Sequence, residues 1–148
     1  MKITLHKYYI QIQSEKLCDL IGKINGFDKT VKIKGGAFWP FLYLRYDDHP
    51  NNLKWINHER IHFAQQFELL FIFHFLLILL EVIYFKYIRR MNHMDSYLNL
   101  TFEQEAYLNQ NNENYLKYRK LFSFLKYIRN KKRIKFIDKN GNFSIENL

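Results

Sequence analysis

Asn57-His58-Glu59-Arg60-Ile61-His62-Phe63-Ala64-Gln65-Gln66-Phe67-Glu68 is the stretch that decides how this chain folds. It contains no Gly or Pro, and after Pro50 neither occurs until Gly141. A run that long without breakers, rich in Leu, Phe, Tyr, Glu and Lys, predicts a mostly helical middle. On a helix, His58 and His62 stand one turn apart on one face. Two imidazoles placed so can bind one zinc ion. Glu59 stands about 100° round the helix, beside such an ion, where a carboxylate can take a proton from zinc-bound water. The same spacing also fits two hydrogen-bonded surface histidines, so a third ligand decides between the readings.

The candidates for that ligand lie downstream, in Thr101-Phe102-Glu103-Gln104-Glu105-Ala106-Tyr107. Thr101 and Gln104 read as a capping box, which predicts a helix start. Glu103 falls in its first turn and is preferred. Glu105 projects about 200° away from it, so only one of the two can face a metal.

His58-Glu59-x-x-His62 followed by Glu103-x-x-Ala106 resembles the gluzincin group of zinc metallopeptidases, in which the Glu before x-x-Ala-Asp on a later helix completes the site. Residues 57–68 together with 102–107 are also similar to small bacterial proteins, many from Bacteroidetes, and to minimal metallopeptidase-like domains of unknown function. With these the resemblance covers roughly Phe38 to Ile128; with the peptidases it covers the two short motifs. It implies a zincin-like fold, zinc held by His58, His62 and Glu103 with water in the fourth position, Glu59 as general base, and a peptide or protein substrate. Where those peptidases have Asp after the Ala, this chain has Tyr107. A phenol can accept a hydrogen bond from imidazole but brings no charge, which weakens support for the ligand.

Gln65 and Gln66 extend the histidine face; they read either as support for a ligand or bound water, or as a polar helix surface. His93 is a spare nitrogen that, as a fourth ligand, would close the site and make the zinc structural. His74 and Glu81 are seven apart on one face and read as polar groups bonded to a neighbouring helix. His6 and His49 read as strand or loop histidines, and Cys18 as a small buried hydrophobe.

From Leu69 to Leu80 every residue is apolar except His74. This predicts a buried core helix, with membrane contact as the other reading. One straight helix from Leu53 to Arg90 would run roughly 55 Å. Glu103 could not then return to the histidines within a dozen residues. The zinc reading therefore requires a reversal inside the apolar stretch, expected near Phe73–Leu76. Residues 115–133 read as a basic amphipathic helix with interleaved aromatics, packed on the core or lying on an anionic membrane surface. No nucleic-acid motif is present, so nucleic acid is the least favoured partner.

The front third reads as short strands and loops. Val31–Lys34 alternates, Gly35-Gly36 reads as a turn, and Ala37–Tyr46 as an extended segment able to hold substrate by strand addition. A polar turn is expected at 47–52, and a hairpin around Asn140-Gly141 near the end. The expected fold is mainly α with a small β part, an α+β class. It is laid out as one zincin-like domain, with strands and loops in 1–52, helices and the metal site in 53–130, and a basic tail and hairpin in 131–148. Apolar residues at 48% of the chain exclude a disordered protein. A single cysteine excludes an internal disulfide framework and a cysteine zinc cage. Basic residues outnumber acidic ones 23 to 14, a formal charge of +9 that favours an anionic neighbour. The first residues lack the apolar run of a secretory signal. The expected location is cytoplasmic, with a peripheral or hairpin-inserted position at the inner membrane. The expected activity is zinc-dependent hydrolysis of a peptide or other amide. The alternative is a non-catalytic zincin-like binding module associated with a membrane.

Overall fold

The computed structural model describes residues 1–27, 32–45, 52–128, 132–136 and 143–147. The N-terminal part is a four-stranded sheet of β1 (Lys2–Leu5), β2 (Ile10–Gln13), β3 (Gly35–Phe38) and β4 (Phe41–Leu44). Its order is β1-β2-β4-β3, with β2 and β4 parallel and the other pairs antiparallel. Leu42 and Leu44, two apart on β4, turn into the core, as strand periodicity requires. They pack with Trp55, Phe63, Leu98, Tyr107 and Ile134.

Two features of this part correct the sequence reading. A helix, α1 (Glu15–Ile24), stands where only strands and loops were expected. Its signals are local: Ser14 caps it by accepting from the Leu17 N–H at 3.3 Å, Glu15 opens it and Lys23 closes it. And Gly35-Gly36 is no turn but half of β3; the reversal into β4 falls at Trp39-Pro40, a cis peptide. Gly36 sits opposite Tyr43. A Cβ there would lie 2.0 Å from the Tyr43 hydroxyl, so the ring crosses the strand where only glycine fits. Residues 32–34 lead into β3 without joining a strand. Val31, His49 and the expected turn at 47–51 lie outside the described residues.

The helical part begins with α2 (Asn52–Glu68) and α3 (Ile72–Ile83). They are bent 110° from one another. The reversal is at Leu70 and Phe71, with φ of 49° and 59°, and so precedes the Phe73–Leu76 expected. Phe71, with ψ of −55°, is the centre of a γ-turn closed by the Ile72 N–H on the Leu70 carbonyl at 2.6 Å, a rare and strained backbone. What offsets it is aromatic packing: the Phe71 ring lies 5.5 Å from Phe67 and 6.3 Å from both Trp39 and Phe38. The Phe71 N–H also donates to the Gln66 carbonyl at 2.9 Å. Among the described residues no single helix is long and apolar enough to cross a membrane, although α2 and α3 as a bent pair match that composition and length. The expectation of a buried core helix fails for α3, in which His74 is the one fully buried residue.

A single π-helical turn (Tyr84–Ile88) leads to α4 (His93–Leu98) and α5 (Thr101–Asn109). The start of α5 falls where the sequence predicts it, but Thr101 is not its cap. The Thr101 N–H and hydroxyl both donate to the Glu81 carboxylate of α3, the former at 2.8 Å. Gln104 donates instead to the Leu98 carbonyl at 2.8 Å. A carboxylate from another helix thus occupies the positive end of α5.

The continuous basic helix expected over 115–133 does not form. α6 spans only Tyr115–Tyr118, the chain becomes extended at Arg119, and a short 3-10 turn occupies Ser123–Tyr127. The cause is Arg119, whose guanidinium turns inward to Glu68 and Glu105. β5 (Lys132–Phe136) and β6 (Phe143–Asn147) pair antiparallel with Ile134 opposite Ile145; their turn lies outside the described residues. The fold is α+β, a helical core with small strand elements toward both ends.

Candidate metal centre

α2 presents His58 and His62 inward, both buried, and α5 brings the buried Glu103 to meet them. The His58 and His62 Nε2 atoms are 3.2 Å apart. Glu103 Oε2 is 3.3 Å from His58 Nε2, and Oε1 is 3.4 Å from His62 Nε2. In a tetrahedral zinc site, bonds of about 2.0–2.1 Å place ligand atoms roughly 3.3–3.4 Å apart. The three donors therefore already stand on the edges of such a tetrahedron. Glu103 Oε2 has no partner in good hydrogen-bond geometry, its neighbour being the His58 Nε2 at 3.3 Å, an arrangement a cation between them would satisfy. Among the described residues this is the one cluster of three side chains able to hold a metal. Two imidazoles and one carboxylate are the donor set of a catalytic site with one open position, consistent with a zinc metallopeptidase.

Burial alone would raise the Glu103 carboxyl, but the charge of His62 and the two ring nitrogens 3.3–3.4 Å away hold it well below the usual range. Burial would likewise lower His62; the charge of Glu103 overrides it and pushes the imidazole up to about 9 in the metal-free protein. Glu59 is enclosed beside them. Burial raises its carboxyl, and the two histidines only partly oppose that. Its Oε1 lies 3.3 Å from where a Cβ on Gly35 would stand, so the missing side chain of β3 is what lets this carboxylate fit.

Gln65 supports His62. Its Nε2 donates to Glu105 at 2.8 Å and to the Phe102 carbonyl at 3.2 Å. Its Oε1 must then face His62 Nδ1, at 2.7 Å, and accept from it. That fixes the tautomer whose Nε2 lone pair points at the centre. Gln66 does not reach the centre: it donates to the Ala37 carbonyl and accepts from the Trp39 N–H, fastening β3 to α2. Glu105, the alternative ligand, is turned away and wholly engaged by Arg119, Tyr115 and Gln65. His93, the other alternative, packs edge-on against Phe27 at 4.7 Å and lies outside the cluster. Tyr107 meets His58 edge-on at 4.5 Å, and the His58 Nδ1 has no hydrogen-bond partner, so the phenol does not accept from the imidazole as expected.

Sequence reasoning missed several groups. Tyr97 interacts with Glu103 and with Tyr107; burial drives both phenols far above their usual range, so both remain hydrogen donors. Its only signal was an aromatic on a short helix. Asn57, next to the motif, donates to the Gln110 carbonyl at 2.9 Å and to Asn112 at 3.0 Å, tying α2 to the end of α5. Glu81 bonds the neighbouring helix as the sequence suggested. His74 does not: it lies 4.3 Å from Phe102, Nδ1 is unpartnered, and burial pushes it down to about 3. A cavity of about 1000 Å³ opens over the triad, bounded by Gly35–Ala37 on one side and by Phe75, Ile78 and Val82 of α3 on the other. No family model, curated protein or solved structure matches this chain.

Proposed function

We propose that this protein is a gluzincin-type zinc peptidase, akin to the small bacterial proteins whose motifs it resembles, in which His58, His62 and Glu103 hold the ion. The observation that carries the reading is the donor triangle of 3.2–3.4 Å edges, with a buried carboxylate next to it. Bound zinc would supply a Lewis acid that polarises the scissile carbonyl and acidifies water. Glu59 takes the proton from the attacking water and passes it to the departing amine nitrogen; a raised pKa suits both halves of that transfer. Gln65 holds His62 in its ligating tautomer. β3 is an edge strand whose Gly35–Gly36 half borders the cavity, a place for an extended peptide to lie alongside.

The test is metal analysis and peptide hydrolysis of untagged protein. Parent and Glu59→Gln should carry one equivalent of zinc, with turnover in the parent alone; His58→Ala should lose metal and turnover together. Retained turnover in Glu59→Gln excludes it as the base. A second reading, a metal-stabilised module without catalysis, draws on the unpartnered His58 Nδ1, since ligating histidines ordinarily donate that proton to a carboxylate or carbonyl. Full zinc occupancy with no hydrolysis of any peptide would favour it.

A further inference from the structure

α3 has two faces. Phe75, Ile78 and Val82 line the cavity over the triad. On the other face Ile72, Leu76, Leu79, Leu80 and Ile83 form a stripe at helical spacing, with Ile72 76% and Leu79 55% exposed. Leu70 extends the stripe at one end, and Tyr84, Tyr87 and Ile88 extend it at the other. Among the described residues no helix or strand packs on this face. A contiguous apolar surface of this kind marks an interaction site.

We propose that the outward face of α3 docks into an anionic bilayer surface and sets the cavity at the membrane interface. The stripe ends in Tyr84 and Tyr87, followed by Arg89 and Arg90, while Lys86 stands between them at the mouth of the cavity; all three cations are exposed. Aromatic rings beside cations at one end of an apolar stripe are groups that settle at the headgroup level of an anionic leaflet. The twelve residues of α3 span about 18 Å, too short for the roughly 30 Å of a hydrocarbon core. α2 cannot extend the span, because its His58, Glu59 and His62 are buried within the protein. α3 therefore lies along one leaflet. A second copy of this chain is a poorer occupant: a parallel two-fold contact through this stripe would set the Arg89 and Arg90 pairs of both copies together, and an antiparallel one would set them against the apolar Leu70–Ile72 end with no anionic partner. Resting on the peptidase reading, the substrates are polypeptide segments presented at the membrane surface.

The experiment is flotation of the full-length Glu59→Gln protein, loaded with zinc, with phosphatidylcholine vesicles containing or lacking phosphatidylglycerol. Using that variant keeps docking separate from hydrolysis, so an inactive enzyme would leave the result standing. Binding is expected to anionic vesicles at low salt, weakening about tenfold or more as salt is raised through the screening range. Brominated lipid should quench Trp39, which packs on Phe67 and Phe71 beside the stripe, more than the buried Trp55. Ile72→Ser with Leu76→Ser and Leu79→Ser should abolish binding while raising or sparing thermal stability, since these side chains face water. Lys86→Gln with Arg89→Gln and Arg90→Gln should reduce binding to the level of neutral vesicles. No flotation of the parent with anionic vesicles, or equal flotation of the apolar triple variant, overturns the proposal. So does a lipid-free dimer that the apolar triple variant converts to monomer, which would make a second copy the occupant.

Discussion

His62 shows how one residue's chemistry is set by its neighbours. Without metal its imidazole is pushed up to about 9 against an ordinary value of 6.5, so it carries a proton at neutral pH and pairs with Glu103. The folded pKa lies above the unfolded one. This pair therefore contributes its full stability between about pH 4.5 and 6.5, loses it as pH rises through about 9, and loses it again in acid as Glu103 is protonated. Zinc must displace that proton to reach Nε2. Titration calorimetry in buffers of different ionisation enthalpy should show at least roughly one proton released per zinc near pH 7, where His62 is still protonated in the metal-free protein. Zinc binding near pH 7 with no proton released would contradict the protonated His62. Gly35 acts at the same scale by absence. A methyl there would meet the Tyr43 carbonyl at 2.7 Å and crowd Glu59.

At the scale of elements, two long-range carboxylate contacts hold the site's helices in register. Glu81 of α3 receives the Thr101 N–H and hydroxyl at the start of α5, two residues before Glu103. Glu81→Ala should cost about 1 kcal/mol, the worth of a helix cap, and weaken zinc binding because Glu103 is no longer fixed. An unchanged zinc affinity would mean α5 is positioned by packing alone. Arg119 does the same on the opposite side. Its guanidinium bridges Glu68 at the end of α2 and Glu105 within α5, all three nearly inaccessible. Arg119→Met should destabilise by about 3–5 kcal/mol, as breaking a buried pair does, read as a fall in the urea midpoint. If Arg119→Met with Glu105→Gln and Glu68→Gln recovers little of that loss, packing of the arginine stem rather than its charge is responsible.

At the scale of the molecule, the metal would join α2 to α5 across the core, and binding to the folded state alone raises stability by mass action. Chelation should lower the melting temperature of the parent by several degrees and leave His58→Ala unaffected. An equal shift in both would place the chelator's effect elsewhere. The net charge of +9 acts at this scale too. It favours encounter with anionic surfaces, while the exposed stripe of α3 decides the orientation in which the molecule would meet them.

What the sequence by itself determined is what depends on local periodicity. Helical spacing put His58, Glu59 and His62 on α2 in fixed relation, and the start of α5 put Glu103 ahead of Glu105. The need for Glu103 to return to His62 required a reversal in a stretch with no breaker. Where that reversal falls was decided by tertiary packing, because Leu70 and Phe71 take positive φ with the rings of Phe38, Trp39 and Phe67 packed around Phe71. The same holds for Gly35-Gly36, a turn by composition and a strand because Tyr43 and Glu59 fill the space side chains would take. The basic segment after Tyr115 had the pattern of a helix, yet the buried carboxylates of Glu68 and Glu105 drew Arg119 inward and broke it. And α3, all but one of whose first nine residues are apolar, could be assigned to core or surface only by the rest of the fold, since hydrophobicity states that a helix avoids water but not what will cover it.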